Sequence, residues 1–235
     1  MKISSRNLVV CSFIIFLFMH IFPMHQSNAS RVANATITTK YFHDNKNLKY
    51  PVVSNLKNKT AQGKINTVLT NHIKKSALAY QELMKQMKED KKKDFCKDSP
   101  SGCQYEYVTN FETKYNKRNK LSILYYDYQF TGGAHGNTIV TSYNFNNKNG
   151  HLYTLDDFFT SDKMYKKVTD YAKSYMLKHP DIFYPDSNDY SSFKVTNKTQ
   201  FYFADDGLYL IFQQYEVGPY VSGTPAIKIP SSFYN

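Results

Sequence analysis

Apolar residues recur at three- and four-residue spacing along Ile65, Val68, Leu69, Ile73, Ala77, Tyr80, Met84 and Met87, with Lys64, Lys74, Lys75, Gln81, Lys85 and Lys88 opposite. That period predicts one long amphipathic helix with a single buried stripe. Lys88-Glu89-Asp90-Lys91-Lys92-Lys93 closes it as a solvated tail, and His72 reads as an ordinary residue on its surface. The period then switches to two. Tyr105, Tyr107, Thr109, Phe111 and Thr113 alternate as a strand, Lys114 to Lys120 reads as a basic turn, and Leu121 to Phe130 as the returning strand of a hairpin. A glycine-rich corner, Thr131-Gly132-Gly133-Ala134-His135-Gly136-Asn137, precedes a third strand, Thr138 to Asn146, with Ile139, Thr141, Tyr143 and Phe145 on one face.

Asn149-Gly150 is a tight-turn signal. Beyond it Leu155-Asp156-Asp157-Phe158-Phe159 leads into a second helix that Ser161 or Asp162 can cap. Met164, Val168, Tyr171, Ala172 and Tyr175 form its buried stripe, and His179-Pro180 ends it. Phe201 to Phe203 and Leu208 to Val217 read as two strands joined through Ala204-Asp205-Asp206-Gly207, and Ala226 to Ile229 as a last short strand. The segment Ser30 to Lys49 is polar and leaves open a frayed arm or a first strand, and Tyr50 to Val53 is extended. The order helix, three strands, helix, three strands predicts an α+β fold of two small subdomains, each a helix packed on an antiparallel sheet. The expected division is 30–149 and 150–235.

The N-terminus has a different character. Lys2 and Arg6 precede an apolar run from Leu8 to Phe22, and Ser27-Asn28-Ala29 supplies small residues after it. This is the pattern of a secretory signal peptide, 1–29, cut after Ala29. The run is too short for a spanning helix, so the expected product is secreted or wall-associated with no stable membrane span. The whole chain carries a net charge of +11 over 235 residues; without Lys2 and Arg6 the mature chain is about +9. Its only arginines would be Arg31 and Arg118. Base and phosphate recognition leans on arginine forks, so nucleic acid is not an expected partner. A lysine-rich surface suits solubility and attraction to anionic polymer.

Two cysteines remain in the mature chain, Cys96 and Cys103. An even number in an exported protein favours a disulfide, here closing an eight-residue loop of turn-forming residues and stabilising by roughly 2–3 kcal/mol. No metal or cofactor is expected. The five histidines of the mature chain are not spaced as ligand pairs, and no Gly-x-Ser-x-Gly elbow is present. Glu106 and Glu112 share a strand face but lie ~20 Å apart, too far for a glycosidase pair. Asp156-Asp157 and Asp205-Asp206 sit where turns and caps use Asp. No catalytic residue is therefore assigned. The alternative reading is an enzyme acting on cell-wall polysaccharide through a carboxylate pair brought from distant segments, such as Glu216 with one of these. Two stretches carry binding chemistry. His135 stands in a glycine corner exposed for contact, and Tyr215, Glu216, Pro219 and Tyr220 stand in a Gly/Pro-punctuated loop rich in Tyr, Gln and Ser.

Tyr128 to Gly136, Leu155 to Phe159, Asp206-Gly207-Leu208, and Tyr215 to Tyr220 with Gly223 together resemble the paired extracellular domains of the lysozyme-sensing anti-sigma factor RsiV. They equally resemble the non-catalytic region preceding the deacetylase domain of PdaC. The resemblance runs from about Tyr50 to Pro230. It implies an α+β fold in two subdomains, no catalysis in this region, and a cell-envelope setting. The chain departs from both in showing neither a cytoplasmic sigma-binding segment nor a deacetylase domain, so neither activity is implied. The expected function is a secreted, non-enzymatic binding module. Its expected ligands are wall glycan or anionic wall polymer and a wall-degrading protein of lysozyme type.

Charge sets one expectation about that last partner. Lysozymes of the basic kind repel a chain of about +9, and the repulsion reaches furthest at low salt, where the Debye length is ~30 Å at 0.01 M against ~8 Å at 0.15 M. Surface-bound mature protein should bind a basic lysozyme weakly or not at all, with any association rate rising as salt is added. Nanomolar affinity with a rate that falls with salt refutes this.

Overall fold

The computed structural model describes residues 34–97 and 103–234. The expected signal peptide, 1–29, and residues 98–102 of the loop between the cysteines lie outside them. The described chain is α+β, with strands paired antiparallel in three sheets. The polar segment before Lys49 is a strand. β1 (Thr36–Tyr41) pairs along its whole length with β2 (Lys49–Ser54). The long helix α1 (Lys59–Asp90) follows, capped by Asn58, whose side chain accepts the Ala61 N–H at 3.1 Å. A one-turn helix α2 (Asp94–Lys97) carries Cys96. Cys96 and Cys103 are bonded, with Cα atoms 5.3 Å apart.

β3 (Glu106–Lys117), β4 (Lys120–Phe130) and β5 (Asn137–Asn146) form the central sheet in the order β3-β4-β5. The basic stretch expected as a turn is mostly strand. Only Arg118 and Asn119 lie outside it, both with positive φ (51° and 59°), the two-residue turn that matches strand twist. Tyr115, Asn116 and Lys117 pair with Ser122, Leu121 and Lys120 and continue the ladder, and charge alone does not break it.

The second half begins with a 3₁₀ turn at Leu155–Asp157 and the helix α3 (Asp162–Leu177), capped by Ser161. β6 (Phe201–Ala204), β7 (Gly207–Ile211) and β8 (Ala226–Ile229) make the third sheet. The strand expected from Leu208 to Val217 ends at Ile211. After Phe212 the backbone turns at Gln213 to Glu216.

The period-two pattern places opposite faces of the two three-stranded sheets in different cores. Leu121, Ile123, Tyr125 and Phe145 face α1 through Ile65 and Leu69. Leu124 and Val140, on the other face, pack with Tyr202 and Ile211 of the third sheet. That sheet turns Phe201, Phe203, Leu210 and Ile227 toward Val168, Ala172 and Met176 of α3. The described residues belong to one compact unit.

Free strand edges are closed by side-chain amides. The outward N–H groups of Thr138, Val140 and Ser142 on β5 donate to the side-chain oxygens of Gln214, Gln213 and Gln200, at 2.6, 2.9 and 2.6 Å. Gln213 also donates Nε2 to the Val140 carbonyl at 2.8 Å. A carboxamide has one donor side and one acceptor side, as a peptide unit does, so each glutamine stands in for a residue of a missing strand. The edge of β6 is closed in return. Phe201 N–H donates to Ser142 Oγ, Phe203 N–H to Ser122 Oγ, and Asn144 Nδ2 to the Phe201 carbonyl. Asn66 grips Val53 and Asn116 grips Ala35 through both amide atoms in the same way.

Gln213→Ala should leave the Val140 N–H and carbonyl without partners and lower stability by about 1–3 kcal/mol. Urea unfolding of the two proteins measures it, and a shift under ~0.5 kcal/mol would show that water replaces the amide without loss.

Candidate functional site

The glutamine clamps decide where the next residues go. With Gln214 on Thr138 and Gln213 on Val140, Tyr215 is carried to the corner that precedes β5. That corner holds Gly132 and Gly133 at φ of 96° and 93°, a conformation that side chains rarely adopt. At Gly136 a Cβ would run into the Tyr128 ring and the Gln129 carbonyl, so the corner closes tightly only with glycine. His135 stands on this corner.

Three rings from two segments eighty residues apart meet here. His135 stacks on Tyr220 with centroids 3.8 Å apart and planes 18° from parallel. Tyr215 lies 5.8 Å from Tyr220 and 6.3 Å from His135 between centroids. His135 Nδ1 lies 3.0 Å from the Gly136 carbonyl, which can only accept, so Nδ1 carries the proton. In the neutral ring Nε2 then accepts from the Tyr215 hydroxyl at 3.2 Å. Tyr215 is half exposed and has φ of 63°, a left-handed backbone costing of order 1–3 kcal/mol that the flanking clamps hold in place.

The other expected residues divide. Pro219 is exposed and starts the 3₁₀ turn Tyr220–Ser222. Glu216 accepts the Gln213 N–H at 2.7 Å and so closes its own turn. The glutamines read as binding chemistry belong to the β5 edge instead.

Behind the rings lies a cleft of about 480 Å³ whose wall includes Tyr107, Asp127, Gln129, Thr131, Asn137 and Ile139. Asp127 links this cleft to the core. Its Oδ2 accepts from His72 Nε2 at 2.9 Å, and its Oδ1 from Ser76 Oγ at 2.8 Å and Thr109 Oγ1 at 2.6 Å. His72 Nδ1 meets the Tyr143 hydroxyl at 3.1 Å, and its ring stacks on Tyr125 at 3.9 Å. His72 is therefore buried, contrary to its expected place on the helix surface. It lies three residues after Leu69 and four before Ser76, on the buried stripe. Burial works to raise the Asp127 pKa, but the hydrogen bonds from His72, Thr109 and Ser76 outweigh it and hold the carboxyl below the usual range. Burial, and then the Asp127 charge, push the Tyr107 phenol up to about 12, so it faces the cleft as a neutral donor.

Sequence reasoning passed over Asp127 and Tyr107. The signal was present: alternation along β4 puts Asp127 on the face of Ile123 and Tyr125, where a charge needs partners. The carboxylates considered for catalysis are engaged elsewhere. Asp156 accepts from Tyr165 and Asn197, and Asp157 closes a capping box with Thr154 and pairs with His151. Asp205 pairs with Lys117 and Asp206 with Lys228. Among the described residues no group of three or more His, Cys, Asp or Glu is placed to hold a metal ion, and no helix is long and apolar enough to cross a membrane.

Residues 38–138 match the family model "Deacetylase PdaC", and residues 156–232 match "Protein of unknown function (DUF3298)". The chain is 25% identical over 130 residues to the peptidoglycan-N-acetylmuramic acid deacetylase PdaC of Bacillus subtilis (strain 168). That match covers 54% of this chain and 28% of the deacetylase, so the chain spans little more than a quarter of that relative. Two crystal structures of DUF3298 family proteins share the fold. One, from Bacteroides fragilis, superposes with a TM-score of 0.59 at 17% identity, covering 85% of this chain and 90% of that one. The other, from Pseudomonas aeruginosa, gives 0.55 at 15% identity, over 86% and 90%.

The depressed Asp127 pKa fixes the sign of one pH effect. In acid the unfolded chain binds more protons at this carboxyl than the folded one. Its contribution is therefore present above ~3.9, the ordinary value for Asp, and fades as pH falls through the lower folded value. Urea midpoints at pH 7, 5 and 3 should show Asp127→Asn less stable by about 1.5–3 kcal/mol at neutral pH, with the gap narrowing in acid. A gap that stays constant to pH 3 removes Asp127 from this role.

Proposed function

The chain joins a PdaC-type region to a DUF3298 region and so belongs with cell-wall-related proteins, and on that premise we propose that it is a secreted, non-enzymatic binding module of the cell envelope whose aromatic cleft takes wall glycan. The observation that carries this reading is the convergence of three rings: His135 and Tyr215 line a cleft that Gln129, Thr131, Asn137 and Tyr107 also face, and Tyr220 stacks on His135. A pyranose ring has an apolar face of C–H groups and an equator of hydroxyls. Aromatic rings suit the face, and Gln129, Thr131, Asn137 and Tyr107 offer donors and acceptors to the equator. The left-handed Tyr215 is pre-set for this contact, which spares a ligand the cost of ordering it.

Two further facts support the choice of ligand. The relative with the PdaC name acts, by that name, on N-acetylmuramic acid of peptidoglycan. The surplus of lysine on this chain favours approach to an anionic wall.

Co-sedimentation of the mature protein, Ser30 to Asn235, with purified peptidoglycan tests the proposal. Retention is expected at low salt, with affinity falling about three- to tenfold for Tyr215→Ala and for Tyr220→Ala. No retention, or retention indifferent to both changes, sinks the glycan reading at this cleft.

A further inference from the structure

A second cleft, of about 450 Å³, opens at the other end of the β3–β4 hairpin. Lys120 and Gln129 stand at opposite ends of β4, ~30 Å apart at ~3.3 Å per residue, so the two clefts are separate. This one lies between two hairpin turns, Arg118-Asn119 and Asp205-Asp206, which the Lys117–Asp205 ion pair bridges at 2.7 Å. Phe158, Phe203 and Tyr115 supply aromatic surface, and Tyr234 closes one side, its hydroxyl accepting the Leu208 N–H at 3.2 Å.

The charges in this cleft are unequally used. Both acidic residues that line it are engaged. Asp205 holds Lys117, while Asp157 accepts from the Thr154 N–H at 2.7 Å and from His151 at 2.9 Å. Among the described residues neither cation that lines it, Arg118 or Lys120, takes part in an ion pair. Lys120 is half-buried. Its ammonium sits 4.5 Å above the Phe203 ring and 5.6 Å from that of Phe158. The rings face only part of the ammonium and take none of its N–H groups as an oxygen would. Burial lowers the Lys120 pKa, the sign of a cation short of partners.

We infer that this cleft is an oxyanion-binding site: Lys120, with Arg118 beside it, takes a carboxylate or phosphate whose carrier rests on Phe203 and Phe158. Arg118 is positioned by the turn itself, since the left-handed backbone at 118 and 119 leaves its side chain on the same hairpin end as Lys120. The paired Asp205 marks the rim, and its neutralisation by Lys117 keeps the field in the cleft positive. The site does not rest on the glycan reading. Either can fail alone.

Amide shifts of the isotope-labelled mature chain, titrated separately with inorganic phosphate and with acetate at constant ionic strength, decide the matter. Saturable shifts are expected at Lys120, Phe203 and Gly207. Saturation by phosphate alone, acetate alone or both identifies the chemistry accepted. Lys120→Gln should weaken binding at least about tenfold, and Lys120→Arg should keep it. Lys75→Gln, the same charge change on the exposed side of α1, should leave it unchanged, as should Tyr215→Ala. Shifts that never saturate with either anion overturn the proposal. So does equal weakening by Lys120→Gln and Lys75→Gln, which would mean diffuse surface charge. If Lys120→Gln does not fold, loss of the saturable shifts in Lys120→Arg overturns it instead.

Discussion

Everything in this molecule hangs on how its short sheets end. Three sheets of two or three strands leave many unpaired edges relative to their size, and an unpaired edge that is also half-buried must find donors and acceptors from somewhere. Here they come from carboxamides and hydroxyls of the other half. Gln200, Gln213 and Gln214 close β5, while Ser122, Ser142 and Asn144 close β6. The two halves satisfy each other, and apolar contact between Leu124, Val140, Tyr202 and Ile211 fills the space between them.

The same constraint makes the site. Backbone after Phe212 is pinned residue by residue to β5, so Tyr215 has nowhere to go but the His135 corner, and its left-handed φ is the local cost. A loop free to move would not hold three rings within 6.3 Å of one another. Asp127 anchors the cleft from the other side by joining α1, β3 and the wall in one hydrogen-bonded cluster. Strands and α1 thus supply the wall of the cleft, while two pinned loops carry His135 and Tyr215.

Much of the element pattern was legible. The long helix, the second helix with its Ser161 cap, the hairpins and the turn at Asp205-Asp206 follow from periodicity and turn chemistry. Errors fell where the local signal and the tertiary demand diverge. Lys114 to Lys120 looked like a turn because it is charged, yet a ladder tolerates lysine on its exposed side. Leu208 to Val217 looked like one strand because it is apolar, yet Gln213 and Gln214 leave β7 to serve β5. His72 looked exposed because histidine on a lysine-rich helix usually is, and its partner Asp127 lies fifty-five residues away.

What the sequence determined by itself is the two helices, the hairpins, their amphipathic faces and the Cys96–Cys103 pairing. Those depend on neighbours within about ten residues, where spacing and composition act directly. What only the tertiary structure decided is the meeting of His135 with Tyr215 and Tyr220, the burial of the Asp127–His72 pair, and the unbalanced charge of the Lys120 cleft. Each depends on contacts between residues from fifty-five to eighty-eight positions apart. A side-chain amide carries no sign in its own sequence of which distant edge it will close, and for Tyr215 that choice sets the contact with His135.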